Sequence, residues 1–254
     1  PATAAAEPAA APAPLPTPTV TGPLAWLPPA TFDAGPFGKL SANTIVSGFG
    51  QWQDNHVPGD DIGQAALSNG QIFIQKADGK VQYFIEAGAY TLPSLGTPFL
   101  SADKTISDFY GPVPVAFLKL QAGKSTQFLI GELPTLIGAE YTFSFENLNI
   151  ERGLLWNQET AISRGIQLSE TLKKLSLSVS WNDGFYSNRY NWISGSAAYA
   201  FNASNTISFV AGGNAGSTPY YSFATPVQNN GSLYNIIYTY SHGNWFVQPY
   251  WQYT

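Results

Sequence analysis

The segment Ala122-Gly-Lys-Ser-Thr126 ends as a phosphate-binding loop ends, with Gly-Lys-Ser, the pattern whose backbone N–H groups and lysine cradle nucleotide phosphates. That chemistry also needs an earlier glycine, and the position falls on Leu118. The segment therefore reads as a tight turn with a basic tip. Asp60 and Asp61 offer hard oxygen ligands of the kind calcium or magnesium takes. Their spacing does not match an EF-hand loop, so they read as a solvated turn and only a weak metal candidate. The two histidines, His56 and His242, lie 186 positions apart (242 − 56), on connectors that the topology below assigns to opposite ends of the fold. A catalytic dyad or metal pair needs hydrogen-bond reach, so they are not paired. Cysteine is absent, which removes thiol nucleophiles, disulfides and zinc–thiolate sites. The reading is of a protein that is not an enzyme and holds no cofactor.

A different kind of chemistry is suggested between Glu132 and Ala161. Glu140, Glu146, Glu151 and Arg152 share one long connector, and Lys119 and Arg164 flank it on neighbouring strand-like runs. Opposed carboxylates and cations across a narrow opening impose a transverse field on passing ions. Long structured loops are usually functional. The connector is thus expected either to fold into a pore and narrow it or to lie over the rim.

The elements that would hold such a pore are strands. In KKLSLSVSWND, Lys173 to Asp183, Leu175, Leu177, Val179 and Trp181 share one face, and Ser176, Ser178, Ser180 and Asn182 the other. The outer face of a soluble sandwich would carry lysine and glutamate. Here the polar face is small and neutral, which suits an inside-out strand with leucine toward lipid and serine toward a wet lumen. Charged residues make up 11% of the chain, against roughly 25% in ordinary soluble domains. No run of about 20 apolar residues is present, so a helical membrane span is not indicated. A net charge of -5 argues against nucleic acid as a partner.

From Ser41 the connectors alternate between long and short. Short ones are centred on Asp78-Gly79, Ala122 to Lys124, Leu172 to Lys174, Asn202 to Asn205 and Ser241 to Asn244. Long ones cover 53–69, 91–112, 132–161 and 216–231, with a medium loop at GFYSNRY. Up-and-down outer-membrane barrels sort their connections this way. Aromatic residues cluster at the strand ends, as in the girdles at membrane interfaces. Trp52, Tyr90, Trp181, Phe185, Tyr190, Trp192, Tyr234, Trp251 and Tyr253 fall toward the long loops, and Tyr199, Phe201, Tyr240 and Trp245 toward the short turns. The expected fold is all-β, an up-and-down antiparallel transmembrane β-barrel over 41–254, with an Ala/Pro-rich extended lead-in over 1–40.

The stretch GELPTLIGAE, Gly131 to Glu140, followed by ENLNIERGLLWNQETAISRGIQLSETL, resembles a segment of OmpL-like outer-membrane β-barrel porins. There a glycine-flanked strand end leads to an Asn-rich loop, which carries an arginine before an apolar pair and re-enters the barrel at a glycine. The matching residues are Glu140, Asn147, Asn149, Arg152, Leu154, Leu155 and Gly165, and the resemblance covers most of Ser41 to Thr254. It implies a bacterial outer-membrane location and passive diffusion of small hydrophilic solutes or ions through an aqueous pore. Its partners would be outer-membrane lipid, with a second copy or another envelope component left open. A plugged barrel serving as scaffold, adhesin or component of an outer-membrane complex is the alternative, and a soluble ligand-binding β-protein a third. Such barrels commonly end in an aromatic residue, whereas this sequence stops at Thr254. About eleven strands are countable, an odd number, while single-chain bacterial barrels have even numbers. The expectation is 12 or more strands when complete, with the remainder beyond Thr254 or hidden within 91–112 or 132–161. Starting at Pro1 without any methionine, the sequence is also expected to be a processed product or fragment.

Overall fold

The computed structural model describes residues 29–219 and 222–254. Most of the Ala/Pro lead-in, 1–28, lies outside the described residues. One antiparallel sheet is built from β1 (Ala30–Asp33), β2 (Lys39–Trp52), β3 (Gly63–Lys76), β4 (Val81–Tyr90), β5 (Val115–Gln121), β6 (Thr126–Pro134), β7 (Ile162–Leu172), β8 (Leu175–Asn182), β9 (Trp192–Asn202), β10 (Asn205–Asn214), β11 (Ser232–His242), β12 (Trp245–Val247) and β13 (Tyr250–Tyr253). Each strand pairs with its sequence neighbours, and β12 and β13 both pair with β11. Those two form one strand interrupted at Gln248 and Pro249, because proline has no N–H for the ladder; its carbonyl still accepts from the Tyr238 N–H at 3.1 Å. Two short helices, α1 (Ala102–Asp108) and α2 (Pro226–Asn230), lie in long connectors. Among the described residues no helix is long and apolar enough to cross a membrane.

Tight turns join β3 to β4, β5 to β6, β7 to β8, β9 to β10 and β11 to β12, and long connectors leave the opposite ends. Two boundaries differ from the sequence reading. The additional strand is β1, which sits in the supposed lead-in and pairs Ala30–Asp33 with Lys39–Ala42. A run as short as four residues has too little alternation to be read from sequence. The second difference is β3, which starts at Gly63 inside the expected polar connector. Its first half, GQAALSN, lacks the β-branched and aromatic residues that mark strands. An extra residue at Ser68 bulges this strand against Ser47/Gly48, so Ser68 and Asn69 are both buried in succession.

The alternation resolves as an inside-out sheet. On β8, Val179 and Trp181 are 49% and 53% exposed, while Ser180 and Asn182 are each 3% exposed. The same parity exposes Ile72, Ile85, Leu118, Phe128, Ile130, Ile166, Leu168, Phe209 and Ile236 on neighbouring strands. A contiguous apolar outer belt of this kind would be intolerable in water and is what hydrocarbon requires. The sheet curls around an interior, because the 135–161 connector touches both ends of the strand order. Gln51 of β2 donates to Glu151 at 3.0 Å, and Gln252 of β13 donates to the Leu155 carbonyl at 3.3 Å. No ladder joins β1 or β2 to β12 or β13 among the described residues.

Candidate functional site

The connector 135–161 enters the interior where β6 and β7 end, beside the paired glycines Gly131 and Gly165. At Gly131 φ is 139°, and a Cβ there would strike the Ala116 carbonyl of β5; a Cβ on Gly165 would strike the Trp181 carbonyl of β8. Only glycine allows neighbouring backbones so close. The strands can therefore bend as the chain turns inward.

Inside, the middle of the loop packs on β3 to β6. Phe143 stands edge-on to Tyr90 at 5.2 Å and Phe145 edge-on to Phe73 at 5.8 Å, with Phe84 and Phe117 continuing the stack. These rings and Leu133 and Ile162 form one buried cluster. A polar chain runs beside it: Ser144 donates to Asn69 at 2.8 Å, Asn69 to Gln71 at 2.8 Å, and Gln71 to Glu86 at 2.6 Å. Nearer its start the loop meets β9–β11, where Ile137 packs with Trp192, Val210 and Ile237, and Gly138 N–H donates to Asn235 Oδ1 at 3.1 Å.

Arg152 holds the loop's own shape. It is fully buried, donates to the Thr142 carbonyl at 2.6 Å and the Ile150 carbonyl at 3.2 Å, and lies over the Trp156 ring at 5.2 Å. Burial pulls the guanidinium down to about 10 despite Glu146 and Glu140 nearby. Its backbone ties the loop to the β4–β5 connector, through Arg152 N–H to the Pro93 carbonyl at 3.1 Å and Leu95 N–H to the Arg152 carbonyl at 3.0 Å. Glu146 accepts from Phe143 N–H at 3.0 Å through Oε2, while Oε1 has no hydrogen-bond partner among the described residues. Burial pushes its carboxyl up to about 8, the Phe143 N–H and Arg152 opposing that rise. Glu140 accepts from Gly153 N–H at 2.9 and 3.0 Å.

Between loop residues 134–142 and the β7–β12 wall a cavity of about 380 Å³ remains. Its wall is Gln167, Ser196, Ala198, Ser208, Thr239 and Gln248 together with the apolar Phe117, Leu129, Val210 and Ile237, and Glu140 stands on the loop side. Ser169 and Ser178 hydrogen-bond at 2.9 Å on the same wall. Inward strand parity on β9 to β12 could have named these residues, but small neutral side chains carry no chemical signal of their own.

A family model described as "Putative beta-barrel porin-2, OmpL-like" matches residues 39–254. The chain belongs to this porin family. No curated protein matches it. Among solved structures, two mutants of the porin from Rh. blastica align with it, each at 12% identity and a TM-score of 0.37, over 87% of this chain and 79% of the other.

The family member does not place every expected site residue as its sequence suggested. Arg164 shares the parity of Ile166 and Leu168, so it lies on the outer face of β7, in a groove with Ile130 and Trp181. There it pairs with Asp183 at 2.7 Å and lies 3.9 Å from the Tyr186 ring, so it is not a lumenal partner of the loop carboxylates. Lys119 points inward, buried on β5 beside Phe117. Neither forms an ion pair with Glu140, Glu146 or Glu151 among the described residues. Ser178 and Ser180 line the interior, and Ser176 keeps their parity but is exposed next to the tight turn. Of the expected girdle, Trp52, Trp181, Trp245, Trp251 and Tyr253 are exposed on the outside, and Tyr240 is half-buried with the same parity. Tyr90 and Trp192 are corrections: at 0% and 1% exposure they face inward, against Phe143 and Phe185. A ring near a strand end faces lipid or lumen according to parity, and at the start or end of a strand the parity is hardest to count. Asp60 takes the Phe99 N–H on both oxygens, at 3.1 and 3.0 Å, as a loop clamp.

Proposed function

We propose that this porin sits in the bacterial outer membrane and passes small hydrophilic solutes or ions by diffusion, without covalent chemistry. Solutes would move between the inserted loop and the serine-rich β7–β12 wall. The observation that carries the reading is the asymmetry of the interior: the loop's phenylalanines pack tightly against β3–β6, while a cavity with serine, threonine and glutamine side chains on its wall remains toward β7–β12. Lipid would meet the outer belt. Glu140, facing that cavity, is the constriction charge that would favour cations over anions. Glu151, bonded to β2, and the buried Glu146 and Arg152 would shape the loop more than touch the solute.

Planar-bilayer recording tests this. Stepwise currents with cation preference, reduced in Glu140→Gln, are expected. Absence of current across preparations that migrate as folded barrels would favour the plugged-scaffold reading, which the density of the loop packing supports.

A further inference from the structure

A second cavity, about 390 Å³ and partly open, lies on the long-loop side, formed by the connectors that follow β4, β6, β8 and β10. The rings of Phe109, Tyr110, Trp156, Phe185 and Phe223 line it. Phe223 stands 4.9 Å from Phe109 and edge-on to Tyr110 at 5.2 Å. It is the most exposed of these rings, which puts it at the mouth. This cavity shares no lining residue with the one along β7–β12.

The polar side chains around it are already engaged with the protein. Ser94 Oγ donates to Asn157 Oδ1, and Asn157 Nδ2 donates to the Leu95 carbonyl at 2.8 Å. Thr97 Oγ1 donates to the Ser94 carbonyl at 3.0 Å and Thr105 Oγ1 to the Ser101 carbonyl at 3.0 Å. Gln228 donates to the Asn157 carbonyl at 2.9 Å and accepts from Thr225 N–H at 2.9 Å. Glu159 is the only carboxylate among the described lining residues, and no lysine, arginine or histidine joins it. Its carboxyl does not face this space: both oxygens are buried and lie against Gly138, which lines the other cavity and not this one.

The walls therefore offer ring faces and few free donors or acceptors. Water held there would find few partners, and a charged or hydroxyl-rich solute would leave its polar groups unpaired. An uncharged ring loses nothing of that kind and gains edge-on and offset contacts with the rings already present. We propose that this cavity binds a small uncharged aromatic molecule of one or two fused rings, seated among Phe109, Tyr110 and Phe223. The site goes beyond the porin reading, which concerns hydrophilic solutes in the other cavity, and stands whether or not current flows there.

Fluorine NMR on the full chain in lipid nanodiscs tests it. Fluorobenzene dissolves into lipid without saturating, so the saturable part of its signal reports a site on the protein. That part is expected in the parent and should vanish in Thr97→Trp, which puts a bulky ring at an exposed lining position. Phe223→Ala should weaken binding about two- to tenfold by removing a ring contact. The anion 4-fluorobenzoate and the cation 4-fluorobenzylammonium should each bind at least about tenfold more weakly than fluorobenzene at pH 7, because neither charge finds a partner. Fluorocyclohexane, apolar but not aromatic, should also bind more weakly. Heat-modifiable gel migration checks that each variant is folded. Absence of saturable fluorobenzene binding, binding that persists unchanged in folded Thr97→Trp, or an ion or fluorocyclohexane bound as tightly as fluorobenzene would overturn the site. If Thr97→Trp does not fold, Phe223→Ala decides in its place, and an unchanged affinity there overturns the site as well.

Discussion

The two halves of the interior are built on different principles. From β3 to β6 the inward residues are large, Phe73, Phe84, Phe117 and Leu133, and the inserted loop completes them as a core. From β7 to β11 many are small and polar, with Gln167, Ser169, Ser178, Ser196, Ser208 and Thr239, and a cavity remains beside them although Ile137 of the loop packs on Trp192, Val210 and Ile237. The outer faces of both halves are equally apolar. A barrel wall can thus be a packing surface or a passage according to the size of alternate residues alone. The aromatic half holds the middle of the loop, and the serine half borders the cavity that remains.

Emptying the aromatic half should have the largest effect. Phe145 contacts Phe73 and Phe143 and is almost wholly buried, and truncating a buried phenylalanine costs about 3–5 kcal/mol. The double variant Phe143→Ala/Phe145→Ala is expected to release the loop, raising single-channel conductance and current noise. Unchanged conductance would mean that the loop is held from the β9–β11 side instead. Next in size is the outer face against the inner one. Val179→Arg places a charge in the apolar belt and is expected to lose about 2–4 kcal/mol on folding into bilayers. Ser178→Arg, one residue away, should fold nearly as the parent does and mainly reduce current. If the two fold equally badly, the inside-out assignment of β8 is wrong.

That assignment was legible in the sequence because period two is geometric: Leu177, Val179 and Trp181 cannot share a face with Ser178 and Ser180. The sorting of short and long connectors was legible for the same local reason. The direction of single residues near strand ends was not. Arg164 looked lumenal by its charge, yet two steps along β7 separate it from the exposed Ile166, and its partner Asp183 comes from the β8–β9 connector. Tyr90 and Trp192 looked interfacial by type, but each meets a ring from a connector, Phe143 or Phe185, whose path no periodicity encodes. The candidate loop was visible by length and composition. Which wall it would lean on depended on the phenylalanines of β3, β4 and β5, and these became a surface only once the strands stood side by side.

The packed half should also respond to pH. In the docked loop the Glu146 carboxyl is raised to about 8 from an ordinary value of 4.5, so docking binds a proton that the released loop gives up. The stabilisation is fully present below the ordinary value and is lost as pH rises toward 8. Arg152 lies beside the same carboxyl and opposes the rise. Open-channel noise is expected to grow between pH 5 and pH 8, and Glu146→Gln should flatten that dependence. A noise level that falls over this window would reverse the sign and indicate that the ionised Glu146–Arg152 pair, not the protonated carboxyl, holds the loop.

The smallest expected effect distinguishes the halves by charge alone. Ser196→Asp adds a carboxylate on the wall of the open cavity, where it faces the solute path directly. Lys119→Gln removes a cation that is buried on β5 in the packed half. Both substitutions change the net charge of the lumen by one unit in the same direction. If ions pass along the serine wall, the first should shift the reversal potential in a salt gradient toward cation selectivity. The second should shift it less, because Lys119 is buried and does not line the cavity, whereas position 196 does, and a charge loses most of its influence over about 10 Å at 0.1 M salt. Raising the salt should shrink the small effect before the large one. Equal shifts from the two variants would mean that the lumen acts as one electrostatic compartment and that the division into a packed half and an open half does not govern conduction.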